Sequence, residues 1–409
     1  MSETSNNPLN IVCIATYFKG VDFMRECYER GHRVVLVTKE KFRDAEWPKE
    51  ALFDLFFVPD NFTLDVMVHT ITQIARHIKI NRLVALEEFD VITAGLVREH
   101  LLIHGPTSAE AKVFRDKLTM RVRAKEAGIN VPEFVHVLNY DELREFMQSV
   151  SPPWVMKPRA DVSAIGIKKL HDAEQVWRAI DVLDERENLS EQSSYYLLER
   201  FVPGAVFHVD SLVLNGKPIF AGVNGYGRPP MDVSHEGGVF ISHTLDYDSE
   251  DRNELLEINS SLIKALGLSH GATHAEFIKS NEDGKLYFLE IASRVGGAYI
   301  AETLEAASGI NIWREWANIE IAGDDGEYTM PPARKDYSGI VLSLAKQEYP
   351  DTSHYTHEEI VYRIKKPYHV GLIVRSKSLD RVKELLDQYA KRFDNDFVAV
   401  APVPERPPH

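Results

Sequence analysis

The stretch that decides the fold of this 409-residue chain is residues 286–297, Leu-Tyr-Phe-Leu-Glu-Ile-Ala-Ser-Arg-Val-Gly-Gly. Its apolar run predicts a buried strand that carries Glu290 and Arg294 into polar surroundings and stops at two glycines. Just upstream, residues 274–280 (His-Ala-Glu-Phe-Ile-Lys-Ser) predict a partner strand, and Asn-Glu-Asp-Gly at 281–284 predicts the turn. The sequence therefore predicts a β-hairpin at this point of the chain.

The predicted hairpin brings two carboxylates together. If it pairs symmetrically about Asp283, Glu276 lies directly opposite Glu290, and both side chains project from one face. The other face is then expected to carry Ala275, Phe277, Leu289 and Ile291. Facing carboxylates repel each other unless a cation lies between them, and Mg2+ is a hard cation that prefers such ligands. A solvated strand face without metal is the alternative, and the hairpin alone favours it.

Composition bounds the class of protein. The length predicts two to four domains, and 44% hydrophobic with 27% charged residues is typical of a soluble globular protein. A net charge of -15 argues against a nucleic-acid partner. Cys13 and Cys27 have no metal-binding spacing, which favours a reduced, cytoplasmic setting. Neither a signal peptide nor an apolar run of ~20 residues is visible, so we expect neither secretion nor a membrane partner.

The first part of the chain predicts a Rossmann-like layer. A strand at 10–17, a helix at 21–30 and a strand at 33–38 form a βαβ unit. The first turn has no G-x-G-x-x-G pattern, which argues against a nicotinamide site. Glu87 and Glu88 follow the strand that begins at Arg82 and fall at its carboxyl end, where open sheets place ligands. For either acid alone, simple solvation is the favoured interpretation.

Two lysines stand out in the middle of the chain. Lys117 lies in a broken helical segment at 111–127, where a surface role is the ordinary interpretation. Lys157 ends the apolar strand 154–158, and a lysine between hydrophobic residues suggests an anionic partner. The loop at 159–166 is rich in small residues and could fold backbone N–H groups over phosphates, although it has few glycines.

The remaining segments predict an alternation of strands and helices. Asn215-Gly216 predicts a tight hairpin, and the polar loop 228–243 predicts either a lid or a disordered connection. Gly323 to Lys335 is typical of a linker, and the segment after it predicts a small α+β module. The other expected elements are strands at 167–169, 195–204, 206–214, 218–225, 337–346, 369–374 and 397–401, and helices at 64–78, 172–184, 251–266, 298–307, 311–322 and 378–392.

Taken in this order, the two lysines, the strand with Glu199, the paired acids and Arg294-Val-Gly-Gly resemble the ATP-grasp superfamily over about residues 105–325. The N-terminal layer resembles the domain that usually precedes the ATP-grasp pair. The resemblance implies an N-terminal Rossmann-like domain at 1–104, ATP-grasp domains at 105–325 with a lid at about 132–203, and an α+β module at 326–409.

The resemblance also implies roles for individual residues. Mg2+, with Mn2+ as an alternative, would bind Glu276 and Glu290. Arg294 would contact the transferred phosphate or a substrate carboxylate, and we expect it to act in catalysis together with Lys157. The ATP-binding residues implied are Lys117, Lys157, Ser163, Gly166, Glu199 and the backbone at Phe201 and Val202.

Two positions depart from the family pattern. Val206 stands where the family often has a ribose-binding acid, so His208 or Asp210 would have to replace it, or the ribose would be held loosely. Ala292 stands where the family often has an asparagine near the metal, which leaves the number of bound metals open.

Within the superfamily the chain looks most like the carboxylate-amine ligases, in particular the L-amino acid ligases. That resemblance implies ATP-dependent amide formation through an acyl phosphate, with ADP as product and small-molecule carboxylates and amines as substrates. Two alternatives are an ATP-grasp carboxylase or formyltransferase of the purine or biotin type, and a non-catalytic ATP-binding protein. A homodimer is left open. Candidates for the acceptor pocket also exist, although an ordinary surface or core role is favoured for each of them: Arg228, His235, His243, Trp313 and Trp316.

Overall fold

The computed structural model describes residues 8–160, 166–231, 233, 237–323 and 328–399. Within these residues the strands form three sheets. Two of them face the site described below, and the third forms the N-terminal layer. None of the described helices is long and apolar enough to cross a membrane.

The N-terminal layer is a parallel sheet with strand order β3-β2-β1-β4. Its central strands are apolar and buried, as expected for a parallel sheet covered on both faces. This confirms the predicted Rossmann-like layer, although the first strand ends three residues earlier than expected. The elements are β1 Asn10–Ile14, α1 Val21–Glu29, β2 Arg33–Lys39, β3 Leu52–Val58, α2 Leu64–Ala75, β4 Arg82–Ala85 and α3 Val91–Leu101.

Two short helices lead from this layer to the next sheet, α4 Ser108–Val113 and α5 Lys117–Glu126. A capping box between Thr107 and Glu110 starts α4, and the Asp116 carboxylate accepts backbone N–H groups at the start of α5. The predicted break is confirmed, and its position makes Lys117 the first residue of a new helix.

The segment predicted as the lid contains an antiparallel sheet with strand order β5-β8-β6-β7, named the lid sheet after that prediction. Apolar residues of two amphipathic helices pack against it in one cluster with Trp154, Met156 and Leu198. Strand β5 was not predicted from the sequence, because three residues give too short a pattern. The elements are β5 Phe134–His136, α6 Tyr140–Ser149, β6 Trp154–Pro158, β7 Lys168–Leu170, α7 Ala173–Asp184 and β8 Tyr196–Arg200.

The central sheet has the order β13-β12-β9-β10-β11-β14-β16-β15 and is antiparallel throughout. Its strands are β9 Gly204–Leu214, β10 Lys217–Tyr226, β11 Phe240–Thr244, β12 Gly271–Ser280, β13 Leu286–Ala292, β14 Tyr337–Leu344, β15 Ile360–Arg363 and β16 His369–Ser376. The accompanying helices are α8 Glu250–Leu266, α9 Ile300–Ser308, α10 Ile312–Ala322 and α11 Leu379–Asp396.

The C-terminal segment does not form a separate sheet. Strands β14, β15 and β16 continue the central sheet beyond β11, so the expected α+β module shares its sheet with the preceding domain. The strand expected at 397–401 is represented, within the described residues, by a single bridge between Ala345 and Val398. The proposed boundaries at 104 and 325 stay predictions from the sequence.

The register of the decisive hairpin confirms the central expectation, because Glu276 pairs directly with Glu290. A bulge then shifts the register, so that Phe277 pairs with Phe288 and Leu289 is skipped. The expectation that Leu289 faces the apolar core is therefore wrong. Phe288 takes that position beside Phe277, and Leu289 lines the cavity.

Candidate active site

A cavity of about 670 Å³ lies between the lid sheet and the central sheet. This size is in the range of ligand-binding clefts. The cavity is lined by most of the residues expected to bind ATP and metal, namely Lys117, Lys157, Glu199, Phe201, Val202, Glu276, Glu290 and Arg294. The lining includes Ile167 but not the neighbouring Gly166. Ser163 lies outside the described residues.

Glu276 and Glu290 reach the cavity from adjacent strands. The Oε1 atom of Glu276 accepts the Tyr226 hydroxyl at 2.7 Å, and its Oε2 atom has no partner among the described residues. Glu290 Oε2 lies 2.9 Å from Lys117 Nζ. Burial would raise the pKa of Glu290, but Lys117 and more distant cations lower it to about 2. Two carboxylates, at least one of them firmly anionic, are a donor set that fits Mg2+.

Both lysines are buried at the cavity wall. Lys117 is 6% exposed, so the surface interpretation of this residue is wrong. Lys157 pairs with Glu199, which is the anionic partner that its apolar strand suggested. Burial lowers the pKa of Lys157 to about 8, against the opposing effect of Glu199.

Glu199 is held by two cations. One carboxylate oxygen pairs with Lys157, and the other lies 3.1 Å from Arg121, which is fully buried. The backbone N–H groups of Phe201 and Val202, close after Glu199, are not equally able to bind a ligand. The Phe201 N–H already donates to Pro153 O at 3.0 Å. The N–H of Val202 has no acceptor among the described residues, so it is the better candidate for an adenine contact.

Arg294 is anchored by the N-terminal layer. Its Nε and Nη2 atoms both lie 3.1 Å from Glu88 Oε2, and Arg115 pairs with the other oxygen of Glu88. Burial would raise the pKa of Glu88, but Arg294 and Arg115 lower it. Glu87 is 3% exposed and Glu88 7%, so the solvated interpretation of these two acids is wrong.

His208 does not reach the cavity. Its side chain is buried, with Nδ1 at 2.5 Å from Asp210 and Nε2 at 2.7 Å from Ser242 Oγ. Both ring nitrogens are therefore occupied, and the expected ribose contact by His208 is corrected to an internal hydrogen-bonding role. Asp210 is fully buried as well and cannot serve the ribose.

Most of the acceptor-pocket candidates lie away from the cavity, in agreement with the ordinary roles favoured for them. The described lining of the cavity contains neither Arg228, His243, Trp313 nor Trp316, and Trp316 packs against Phe23 in the core. His235 lies outside the described residues.

Three site residues were missed in the sequence. Arg121 follows Lys117 by one helical turn, so the i, i+4 spacing on one helix face was an available signal. Arg115 lies in the break before that helix, and its role depends on a distant partner. Tyr226 ends β10, and nothing in the local sequence indicates that its hydroxyl reaches Glu276.

The lid sheet and the central sheet enclose two lysines and paired acids in one cavity. Residues 150–302 match the family model of the ATP-grasp domain, so the chain contains such a domain. The chain also shares its fold with a solved structure. It aligns with the L-amino acid ligase from Bacillus licheniformis at a TM-score of 0.74 and 16% identity, covering 97% of this chain and 99% of that one.

Curated relatives share the same region. The chain is 25% identical over 271 residues to the L-arginine-specific L-amino acid ligase of Bacillus subtilis, covering 66% of this chain and 65% of that protein. It is also 25% identical over 205 residues to the D-alanine--D-alanine ligase of Neisseria gonorrhoeae, covering 47% of this chain and 61% of that protein. The aligned region thus spans slightly less than two thirds of these relatives.

Proposed function

We propose that this protein is an ATP-dependent carbon–nitrogen ligase that joins the carboxylate of one amino acid to the amine of another molecule, with ADP as product. The observation that carries the proposal is the pairing of Glu276 with Glu290 in a cavity that also contains Lys117, Lys157 and Arg294. The similarity to amino acid ligases supports the substrate class.

The cavity offers separate surroundings for the two ends of ATP. Val155, Ile167 and Leu289 provide an apolar wall near the hinge at Phe201 and Val202, which suits an adenine ring. Lys157 and Lys117 provide positive charge for the phosphates. The bulge contributes directly to this arrangement, because it turns Leu289 towards the cavity.

Glu276 and Glu290 would hold Mg2+, for which Mn2+ is an alternative hard cation. When bound, the metal supplies charge that offsets the negative phosphate oxygens. Lys117 lies beside Glu290 and keeps its carboxylate ionised, as a cation ligand requires. Ala292 adds no oxygen ligand from its side chain.

Arg294 is placed to stabilise the transferred phosphate or the carboxylate that receives it. Glu88 and the Val295 carbonyl fix the guanidinium but leave one N–H on each terminal nitrogen without a described partner. In the proposed reaction, a carboxylate oxygen attacks the γ-phosphorus and ADP leaves. The amine nitrogen then attacks the acyl carbon. The bond between the acyl carbon and the phosphate oxygen breaks, so phosphate leaves, and the amine proton passes to solvent or phosphate.

The other properties follow from this function. The partners would be small-molecule carboxylates and amines, and a homodimer stays open. A cytoplasmic location is supported by Cys13 and Cys27, which are both buried free thiols. The three-part division at 104 and 325 is retained as part of the proposal.

Two alternatives are less well supported. A carboxylase or formyltransferase would activate bicarbonate or formate, and the curated relatives named above are instead amino acid ligases. A non-catalytic ATP-binding protein would not need the metal acids, both lysines and Arg294 assembled in one cavity, as they are here.

A substrate panel tests the proposal. The enzyme is incubated with ATP, Mg2+ and pairs of amino acids, while phosphate release is measured and products are identified by mass. We expect phosphate and a dipeptide or related amide in equal amounts for at least one pair. Turnover only with bicarbonate or formate would favour the carboxylase or formyltransferase instead, and nucleotide binding without any turnover would favour the non-catalytic protein.

A further inference from the structure

A hydrogen-bonded network lies beneath the metal acid Glu276. The two oxygens of Asp210 are bonded to two imidazoles, with His208 Nδ1 at 2.5 Å and His274 Nδ1 at 2.8 Å. In the pairing of β9 with β12, His208 lies opposite Glu276 and Asp210 lies opposite His274. Four side chains on two adjacent strands therefore form one contiguous polar group.

Burying this network is unfavourable in free energy. His208 and Asp210 are both 0% exposed, within a strand whose neighbouring positions, such as Val209 and Leu212, are apolar core residues. Buried ionic groups lose hydration, and apolar replacements of similar volume are often as stable or more stable. Fold stability alone therefore gives a weak reason for the network.

The network ends at the cavity. His274 and Glu276 are the members that line the cavity, and His274 Nε2 lies 3.6 Å from Glu276 Oε1. The same oxygen accepts the Tyr226 hydroxyl, while Oε2 of Glu276 has no described partner. Asp210 binds the other nitrogen of His274 and so fixes the ring with Nε2 towards Glu276. Tyr226 and His274 thus contact Oε1 of Glu276, and Oε2 is left for a ligand.

We propose that Asp210 and His274 are positioning residues that hold Glu276 in the orientation required for binding the divalent cation. The inference rests on the proposed function, since it assumes that Glu276 binds the metal. His208 and Ser242 support Asp210 from the far side. Outer partners of this kind orient a metal ligand and tune its affinity.

The network does not itself need a metal. The donor atoms of His208, Asp210 and His274 lie within 4.8 Å of one another, which is close enough to share an ion. However, direct hydrogen bonds already join them, and two of the three side chains are fully enclosed. A supporting role for Glu276 accounts for both the bonds and the direction of His274.

Gly296 provides an independent observation. A Cβ atom at this position would lie 2.8 Å from Asp210 Oδ1 and 3.1 Å from His274 Nδ1. These two atoms are hydrogen-bonded to each other, so moving them aside would disturb that bond. Glycine is therefore required here for space, and the backbone beyond Arg294 packs directly on the network.

Direct metal binding tests the inference. Mn2+ is titrated in the presence of ADP, and free Mn2+ is followed by electron paramagnetic resonance, for the wild type and for Asp210→Asn. The amide keeps the shape of the carboxylate but cannot accept from both imidazoles. We expect Mn2+ affinity to fall about 10- to 100-fold, while ADP affinity measured without metal stays unchanged.

Ser211→Ala is the matched control. Ser211 is a fully buried residue of the same strand, bonded at 2.9 Å to Asn259 instead of the network. Its loss should leave Mn2+ affinity unchanged. Circular dichroism checks that each variant folds. If Asp210→Asn does not fold, Gly296→Ala replaces it in the test. This variant crowds the hydrogen bond between Asp210 and His274 and should also weaken Mn2+ binding.

The outcomes separate the inference from the proposed function. Wild-type affinity for Mn2+ in folded Asp210→Asn or Gly296→Ala would overturn the positioning role but leave the metal acids in place. Equal weakening by Ser211→Ala would also overturn it, since the effect would then be general destabilisation. Absence of nucleotide-dependent Mn2+ binding in the wild type would overturn the metal assignment itself and the inference with it.

Discussion

Raising the pH from 7 to 9 should weaken ATP binding through Lys157. The pKa of this lysine is lowered to about 8, chiefly because it is buried. Its charged fraction then falls from about nine tenths at pH 7 to about one tenth at pH 9. If only the charged form binds phosphate, the apparent Kd for ATP rises about tenfold, or about 1.4 kcal/mol. ATP itself changes little in this range, because its phosphates are already largely ionised at pH 7.

Isothermal titration of ATP at the two pH values measures this effect. Lys157→Arg is the control, since a guanidinium stays charged at pH 9 and its Kd should vary little with pH. Lys157→Ala should bind weakly at both values. A flat pH profile for the wild type, or the same tenfold rise in Lys157→Arg, would refute the reasoning and assign the pH effect to another group.

Three substitutions give further predictions. Glu290→Gln should keep the fold but lose most Mg2+-dependent turnover, because an amide cannot offset the metal charge; near wild-type rates over a Mg2+ titration would contradict the metal role. Arg294→Lys should lose at least ~10-fold in kcat despite the retained charge, since the planar fork is lost, and steady-state kinetics with unchanged kcat would exclude that role. Glu88→Gln should reduce kcat more than ATP affinity, because it loosens Arg294; equal effects on both would argue against anchoring.

Much of the hairpin could be predicted because its information is local. Alternation of side chains and a four-residue turn were enough to place Glu276 opposite Glu290. The bulge that turns Leu289 into the cavity was not readable, since an extra residue in a strand leaves the surrounding apolar pattern unchanged.

Other features that sequence reasoning missed depend on distant partners. Lys117 resembles any helix lysine until its partner Glu290, far along the chain, is known. Glu88 is buried, and its charge is paired with Arg115 and Arg294 from distant parts of the chain. His208 lies on a strand that borders the cavity, yet Asp210 and Ser242 occupy both nitrogens of its ring. Its place in the sequence therefore suggested a ribose contact that the structure does not allow.

Hydroxylamine trapping tests the central claim most directly. Hydroxylamine replaces the amine in a reaction with ATP, Mg2+ and a single amino acid, and both nucleotide and acyl products are quantified. The account predicts an amino acid hydroxamate and ADP in equal amounts, because an acyl phosphate forms before the amine attacks. AMP and pyrophosphate as products, or ADP formed without any hydroxamate, would contradict the acyl-phosphate ligase.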